Sequence, residues 1–534
     1  MKIRQIPILA AVIAGLTLQA AWAHDDPARQ ASTRAPEQLG KVSFPTSCDS
    51  AVQARFERAV ALLHSFWFPE GRKAFQEVIA TDPACTMAYW GLAVNRLLNP
   101  FGGRPAENNF LEGQAAVDKG LQIPTRTQRE RDYMAAIATL YARDATPWSE
   151  RVLNYERAME QLARNYPDDR EAAIFHALAL NIAADPNDKT YERQLKAAAI
   201  LEPIFAAQPE HPGVAHYLIH SYDYPPIAAR GLVAARKYAA IAPSAAHALH
   251  MPSHVFTRVG AWEDSLESNR RSEQTARTNK TADEILHAID YQVYAALQLA
   301  RDTEARRAIE RGEPEAERYG RNAGAFALAA GGARYAMERG DWHQAAQLKP
   351  RASKFPYADA MIHFARAIGA ARTGDTQAAQ NDVAQLMKLR DALAARKDTY
   401  WTTQVEIQRL GAQAWIEFAH GRRETALALM HQSADMQDAS EKSPVTPGYV
   451  APAREQLGEM LLELKQPAQA LKEFEVSTKH DPNRLRGLQG AALAAAQSGD
   501  LAKARSYYAR LLEQTKNGEM RPEFEQARVW LARN

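Results

Sequence analysis

The sequence predicts an all-α protein built as a stacked array of helical hairpins, and three observations predict it. Anchor residues recur at a spacing of 34. Gly340-Asp341-Trp342 with Ala345 is followed by Gly374-Asp375-Thr376 with Ala379, and Ala470 with Phe474 by Ala504 with Tyr508. The chain is rich in alanine, the strongest helix former. No stretch shows the β-branched alternation of a strand. The 534 residues carry 46% hydrophobic and 24% charged side chains, which excludes a disordered, collagenous or disulfide-dense chain. The length requires several domains or a repeat.

Residues 1–23 read as a signal peptide. Lys2 and Arg4 precede an apolar run from Ile6 to Leu18, and Ala21-Trp22-Ala23 offers small residues at a cleavage site before His24. The run is short for a membrane span, and no later segment is long and apolar enough for one. The expectation is an exported, periplasmic protein without a transmembrane anchor. Without the leader, basic and acidic residues balance, so no global basic field remains to hold nucleic acid.

Residues 24–46 are polar and carry Pro27, Pro36 and Pro45, which predicts a loose N-terminal strap. Cys48 and Cys85 are the only cysteines. An oxidising compartment lets them pair, for roughly 3–4 kcal/mol in the chain-entropy account. Two free buried thiols are the alternative, and no base is evident beside either sulfur.

The array spans residues 47–442 and resumes at 453–534. Residues 451–484 place Leu457-Gly458, Leu461, Ala470, Phe474 and Pro482 at positions 7–8, 11, 20, 24 and 32 of a repeat. Residues 52–85 carry Ala59, Leu62, Phe75 and Pro83 in a similar way. This pattern resembles the tetratricopeptide (TPR) family. The resemblance implies a right-handed solenoid of helix-turn-helix units whose concave groove binds a protein or peptide. Further units are expected near 86, 136, 170, 212, 246, 286, 326, 360, 407 and 485. Ala88-Tyr89-Trp90-Gly91-Leu92-Ala93, residues 247–258 and residues 442–448 also resemble a group of exported bacterial TPR proteins, a resemblance that implies no agreed activity. Two breaks interrupt the array. Residues 99–107 read as a loop. Residues 443–452 hold three prolines and read as a connector, or as an extended segment lying in the groove.

Histidines supply the one feature beyond a generic scaffold. Seven of the 15 fall between His211 and His287. In units starting at 212 and 246, His216 and His220 repeat as His250 and His254, at positions 5 and 9 of successive first helices. On a helical wheel these positions share a face with Asp223, His247, His287, Asp290 and Tyr294. In the TPR family that face lines the groove. An i, i+4 histidine pair can hold one metal ion from a single helix. His216, His220, His250 and His254 are therefore candidate ligands for a shared Zn, Cu or Fe ion, with Asp223 or Asp290 as a fifth ligand or an outer partner. The other readings are a polar groove that hydrogen-bonds a peptide without metal, and a misassigned register. Pro252 should kink the helix between His250 and His254, or mark a late helix start.

His176 falls on the packing face, which predicts a core histidine, and His64 at the groove edge. Phe66, Trp67, Phe68, Tyr89 and Trp90 read as core between helices. Walker A, GxGxxG, GxSxG, CxxC and HExxH motifs are absent, so no local motif supports an enzyme class. The leading expectation is an exported scaffold for a protein or peptide partner. The alternative is a metalloprotein for storage, delivery or redox chemistry.

Overall fold

In each Gly-Asp anchor of the 34-residue spacing, one residue ends a helix and the next begins another. Gly340, Gly374 and Gly499 take positive φ (65°, 90° and 84°), the left-handed conformation that closes a helix without a Cβ clash. The aspartates beside them cap the next helix: Asp341 accepts from the amide of Gln344, Asp375 from Ala378 and Asp500 from Lys503. One short turn thus joins two antiparallel helices, and repetition of that turn makes the array.

The structure, a computed structural model, describes residues 37–185 and 188–534. The signal peptide and the first part of the strap lie outside the described residues. All the described helices belong to one unit, Gln38–Asn534.

The first three hairpins are α1 (Gln53–His64) with α2 (Phe68–Thr81), α3 (Thr86–Asn95) with α4 (Glu107–Gln122), and α5 (Gln128–Ala138) with α6 (Trp148–Asn165). Then come α7 (Arg170–Ile182) with α8 (Glu192–Ala207) and α9 (Pro212–Tyr222) with α10 (Leu232–Ile241). In the sixth hairpin α11 (Ala246–His250) and α12 (Pro252–Arg258) together face α13 (Trp262–Asn279). Next are α14 (Ala282–Gln298) with α15 (Asp302–Gly312), α16 (Asn322–Glu338) with α17 (Trp342–Ala346), and α18 (Pro356–Arg372) with α19 (Thr376–Ala395). The last are α20 (Thr399–Ala419) with α21 (Arg423–Asp438), α22 (Ala453–Glu463) with α23 (Pro467–His480), and α24 (Leu485–Ser498) with α25 (Leu501–Gln514), closed by α26 (Pro522–Arg533). The described residues contain no strand, and none of their helices is long and apolar enough to cross a membrane.

Small residues on the first helices admit aromatic side chains from the second helix of the preceding hairpin. A Cβ on Gly490 would come within 2.2 Å of Phe474, and one on Gly91 within 2.2 Å of Phe75. The chain is therefore a TPR-type solenoid by its own geometry. The unit starts expected near 136, 286, 326, 360 and 407 are corrected to 128, 282, 322, 356 and 399. Three of these shifts are four residues, about one helical turn, so faces survive while positions move.

Residues 38–46 run extended over the first hairpins. The Lys41 amide donates to Glu210 O (2.9 Å), and Phe44 is fully buried against Phe56, Trp90 and Tyr133. Cys48 and Cys85 are joined by a disulfide. The two final hairpins return to the middle of the array. Trp262 Nε1 donates to Asn483 O (2.7 Å), the Leu485 amide to Gln298 Oε1 (2.8 Å) and the Glu519 amide to Ala300 O (2.7 Å).

Residues 439–452 join α21 to α22 and also lie inside the curve. Tyr400 donates to Glu441 O (2.9 Å), Lys189 Nζ to Glu441 Oε1 (2.7 Å), and Arg334 Nη2 to Gly448 O (2.6 Å).

Candidate metal centre

Pro212 opens α9 at a position where its missing N–H costs nothing, and His216 and His220 lie one turn apart on the inner face. The next first helix is interrupted at Met251, because Pro252 cannot donate, yet Met251 stays right-handed helical (φ −53°, ψ −36°). His247 and His250 therefore remain on α11, and His254 sits on α12 one turn beyond His250. His287 lies near the start of α14.

These six histidines form two sets of three. His216, His220 and His247 each offer a ring nitrogen within 4.8 Å of the others, and so do His250, His254 and His287. The two expected pairs thus do not make one four-nitrogen group; each recruits a third imidazole from the following first helix. The pairs are repeat copies of each other, offset by 34 residues, whereas the third members His247 and His287 are offset by 40. They are also neighbours: the His220 and His254 rings are 6.3 Å apart and the His247 and His250 rings 6.0 Å.

Hydrogen bonds behind the rings fix which nitrogen faces inward. His216 Nδ1 lies 2.6 Å from His64 O, His250 Nδ1 2.7 Å from Asn269 Oδ1, and His254 Nδ1 2.8 Å from Asp223 Oδ2. Asn269 Nδ2 donates to Ser265 O (2.8 Å), which leaves its oxygen for His250. All three partners can only accept, so each Nδ1 carries the proton and each Nε2 turns a lone pair inward. His220 Nε2 and His247 Nε2 lie 3.1 and 3.3 Å from His216 Nε2, and His250 Nε2 lies 3.0 Å from His254 Nε2. His287 Nδ1 is buried without a hydrogen-bond partner.

The surroundings favour neutral rings. His216, His250 and His254 are 0%, 1% and 3% exposed. Burial pushes His216 and His287 down to about 3 and holds His220, His247 and His250 well below the ordinary value of 6.5. Burial also lowers His254, although Asp223 pulls it up. Burial pushes Asp223 up, but Lys442, Arg258 and His254 hold it well below the usual carboxylate range. Arg258 Nε donates to Asp223 Oδ1 (2.8 Å), and Lys442 Nζ lies 3.6 Å from the same oxygen.

Aromatic rings wall the first set. Phe66, held at φ 52°, packs on His216 (4.5 Å between centroids) and stacks on His247 (5.4 Å), while Phe101 stacks on His220 (4.1 Å). The second set has Tyr291 instead, whose hydroxyl is 3.5 Å from His254 Nε2.

Asp290 and Tyr294 continue the same face of α14 away from the histidines. Asp290 pairs with Arg334, and Tyr294 accepts from Arg484 Nη1 (2.6 Å). The expected aromatic core holds for Phe68 and Trp90, but Phe66 belongs equally to the histidine site. His176 is buried against Glu156 Oε1 (3.4 Å). His64 is fully buried rather than at a groove edge. Its Nε2 donates to Glu171 (3.0 Å), which also accepts from His211 Nε2 (2.8 Å), and Tyr217 lies 2.9 Å from its Nδ1. That network is closed on itself.

The residues sequence reasoning passed over are the outer partners: the His64 carbonyl, Asn269, Tyr291 and Lys442. No sequence signal marks a backbone carbonyl or an asparagine on the opposing helix of a hairpin.

No family model matches the chain, and no curated protein matches it. Among solved structures, the APC/C hetero-tetramer Cut9–Hcn1 is similar over 90% of this chain and 83% of that one, at 11% identity and a TM-score of 0.35. The human IFIT1 dimer with PPP-AAAA is similar over 85% and 88%, at 12% identity and 0.36. A monomeric IFIT1 mutant with Gppp-AAAA covers 80% and 90%, at 11% and 0.32. At these scores the likeness carries no argument about function.

Proposed function

We propose that this protein binds transition-metal ions through His216, His220 and His247 and through His250, His254 and His287. One observation carries the reading: His250 Nε2 and His254 Nε2 face each other at 3.0 Å while both Nδ1 protons are committed elsewhere. Two lone pairs at that distance repel unless a cation holds them. A proton there would make a buried imidazolium, which burial disfavours, so a metal ion is the better occupant. Imidazole-only sets suit Zn, Cu, Fe or Ni and not the hard, oxygen-seeking cations.

The test is elemental analysis. The mature chain, free of affinity histidines and chelator, is loaded with copper and stripped of excess metal. Two ions per chain are expected, falling to about one in His254→Gln. Stoichiometry near zero, or unchanged in that variant, refutes the reading.

The disulfide supports the further proposal of an exported, periplasmic protein. A hairpin array also offers surface for protein partners. Because residues 439–452 occupy the inner curve beside Asp223, a peptide lying along the histidine stretch is disfavoured, and a scaffold role belongs to the outer faces.

A further inference from the structure

The two histidine sets differ from a pair of storage sites in three ways. They are adjacent: the nearest rings of the two sets are 6.0 Å (His247 and His250) and 6.3 Å (His220 and His254) apart, against 4.8 Å for His216 and His220 and 5.0 Å for His250 and His254 within a set. Each set has three protein nitrogens, which leaves a coordination position open on each ion. Among the described residues, the carboxylates beside the histidines are already paired with other cations. Asp223 is matched by Arg258 and Lys442, Glu284 (4.0 Å from His247 Nδ1) by Arg321 at 3.0 Å, and Asp290 by Arg334.

That charge balance selects the ion. Two divalent cations would place four positive charges in a buried site of neutral imidazoles, whereas two copper(I) ions place two. Imidazole is a donor that suits copper.

Resting on the metal-binding reading above, we propose that the two sets form one dinuclear copper centre that takes up dioxygen as a bridging ligand. Each copper(I) gives one electron and becomes copper(II). Dioxygen accepts both, its O–O bond order falls from two to one, and a copper–oxygen bond forms at each ion. The product is two copper(II) ions and a peroxide dianion, so the net charge of the buried site is the same before and after. No proton and no further reductant enters. The reaction therefore needs no rearrangement of Asp223, Arg258 or Lys442, and Phe66 and Phe101 offer no donor atom to compete for the open position of the first ion.

The experiment uses the full mature chain loaded anaerobically with two equivalents of copper(I) and then exposed to dioxygen. Expected are uptake of one dioxygen per two coppers, an intense near-ultraviolet charge-transfer band, and no electron paramagnetic resonance signal, because the two copper(II) spins couple through the bridge. His220→Gln and His287→Gln, each checked for fold by circular dichroism, are expected to keep about one copper and lose the whole band rather than half of it. Two bound coppers with a resonance signal accounting for both, or with no dioxygen uptake, overturn the coupled centre while leaving metal binding intact. A band merely halved in either variant also overturns it. Failure to bind copper, zinc or iron at all overturns the metal reading itself. Should either variant unfold, the stoichiometry and spin state of the unaltered chain decide.

Discussion

Arg484 is a buried arginine whose removal has a calculable cost. It is fully buried and closes the array on itself. From the start of α24 it donates to Glu455 of α22 (Nε–Oε1 2.7 Å, Nη2–Oε2 3.0 Å), Glu338 of α16 (2.6 Å) and Tyr294 of α14 (2.6 Å). Arg484→Met keeps most of the volume and leaves two buried carboxylates without their cation. Breaking a buried pair this way costs about 3–5 kcal/mol. Glu455 gives an independent estimate. Burial already raises it above its ordinary 4.5, with Arg484 pulling the other way. Without the guanidinium it takes a proton on folding, which costs at most about 3.4 kcal/mol at pH 7 and about 0.7 kcal/mol at pH 5, less the part the intact protein already loses through the raised Glu455.

In the variant the folded value of Glu455 lies above the unfolded one, so the stability it contributes is full below pH 4.5 and is lost as pH rises. Destabilisation by Arg484→Met should be about 3–5 kcal/mol at pH 7 and shrink by up to about 2–3 kcal/mol at pH 5. Urea unfolding at both pH values, with hydrogen exchange of α22 and α24 to isolate the local transition, measures it. Glu455→Gln in the same chain should recover part of the loss at pH 7, the remainder belonging to Glu338. A penalty below about 1 kcal/mol, or one that does not change with pH, refutes the argument that the closure is held by a desolvated ion network.

Replacing Cys48 and Cys85 by alanine opens a 37-residue separation and should cost about 4 kcal/mol of local stability, read as a lower urea midpoint for the first hairpins. Glu171, which burial raises but His211 and His64 pull down to about 2, contributes stability that is present above pH 4.5 and lost as pH falls toward 2. The groups around it are His64, His211, Tyr217 and Tyr133. The contribution is up to about 3 kcal/mol, and Glu171→Gln should flatten acid unfolding in that window. Asp223→Asn should weaken the second ion about 10–100-fold in a competitive chelator titration, because His254 loses the carboxylate that orients it. Gly490→Ala drives a Cβ into Phe474 and should cost about 1–3 kcal/mol by thermal unfolding.

The fold was legible because its signals are local. A glycine at positive φ next to a capping aspartate ends one helix and starts another, and both residues are visible in the sequence at Gly340-Asp341, Gly374-Asp375 and Gly499-Asp500. Register was legible only to a turn, since a shift of four residues moves a helical position by about 40° and leaves the apolar pattern nearly unchanged. The same tolerance kept His287 on the right face although its helix begins at Ala282 and not near 286. What remained hidden depends on the superhelix closing. Nothing local marks Lys442 as a neighbour of Asp223, or Arg484 as a neighbour of Tyr294. Those contacts join residues about 200 positions apart through the curvature of the whole array.

That closure also bears on why histidines of three successive repeats meet. In a straight stack, each first helix would present its i, i+4 pair to open solvent, and two pairs 34 residues apart would lie side by side as separate weak sites. Here His247 Nε2 lies 3.3 Å from His216 Nε2, and the His287 ring lies 4.2 Å from that of His250. Each set is completed by the next repeat, and the second set would lack its third member without α14. A site assembled across repeat boundaries reads out the stacking itself: an ion bound there holds α9 to α11 and α12 to α14. Metal occupancy should therefore stiffen the hairpins between Pro212 and Gln298 as one block, and hydrogen exchange slowed only next to the histidines, with no change across the block, would contradict that coupling.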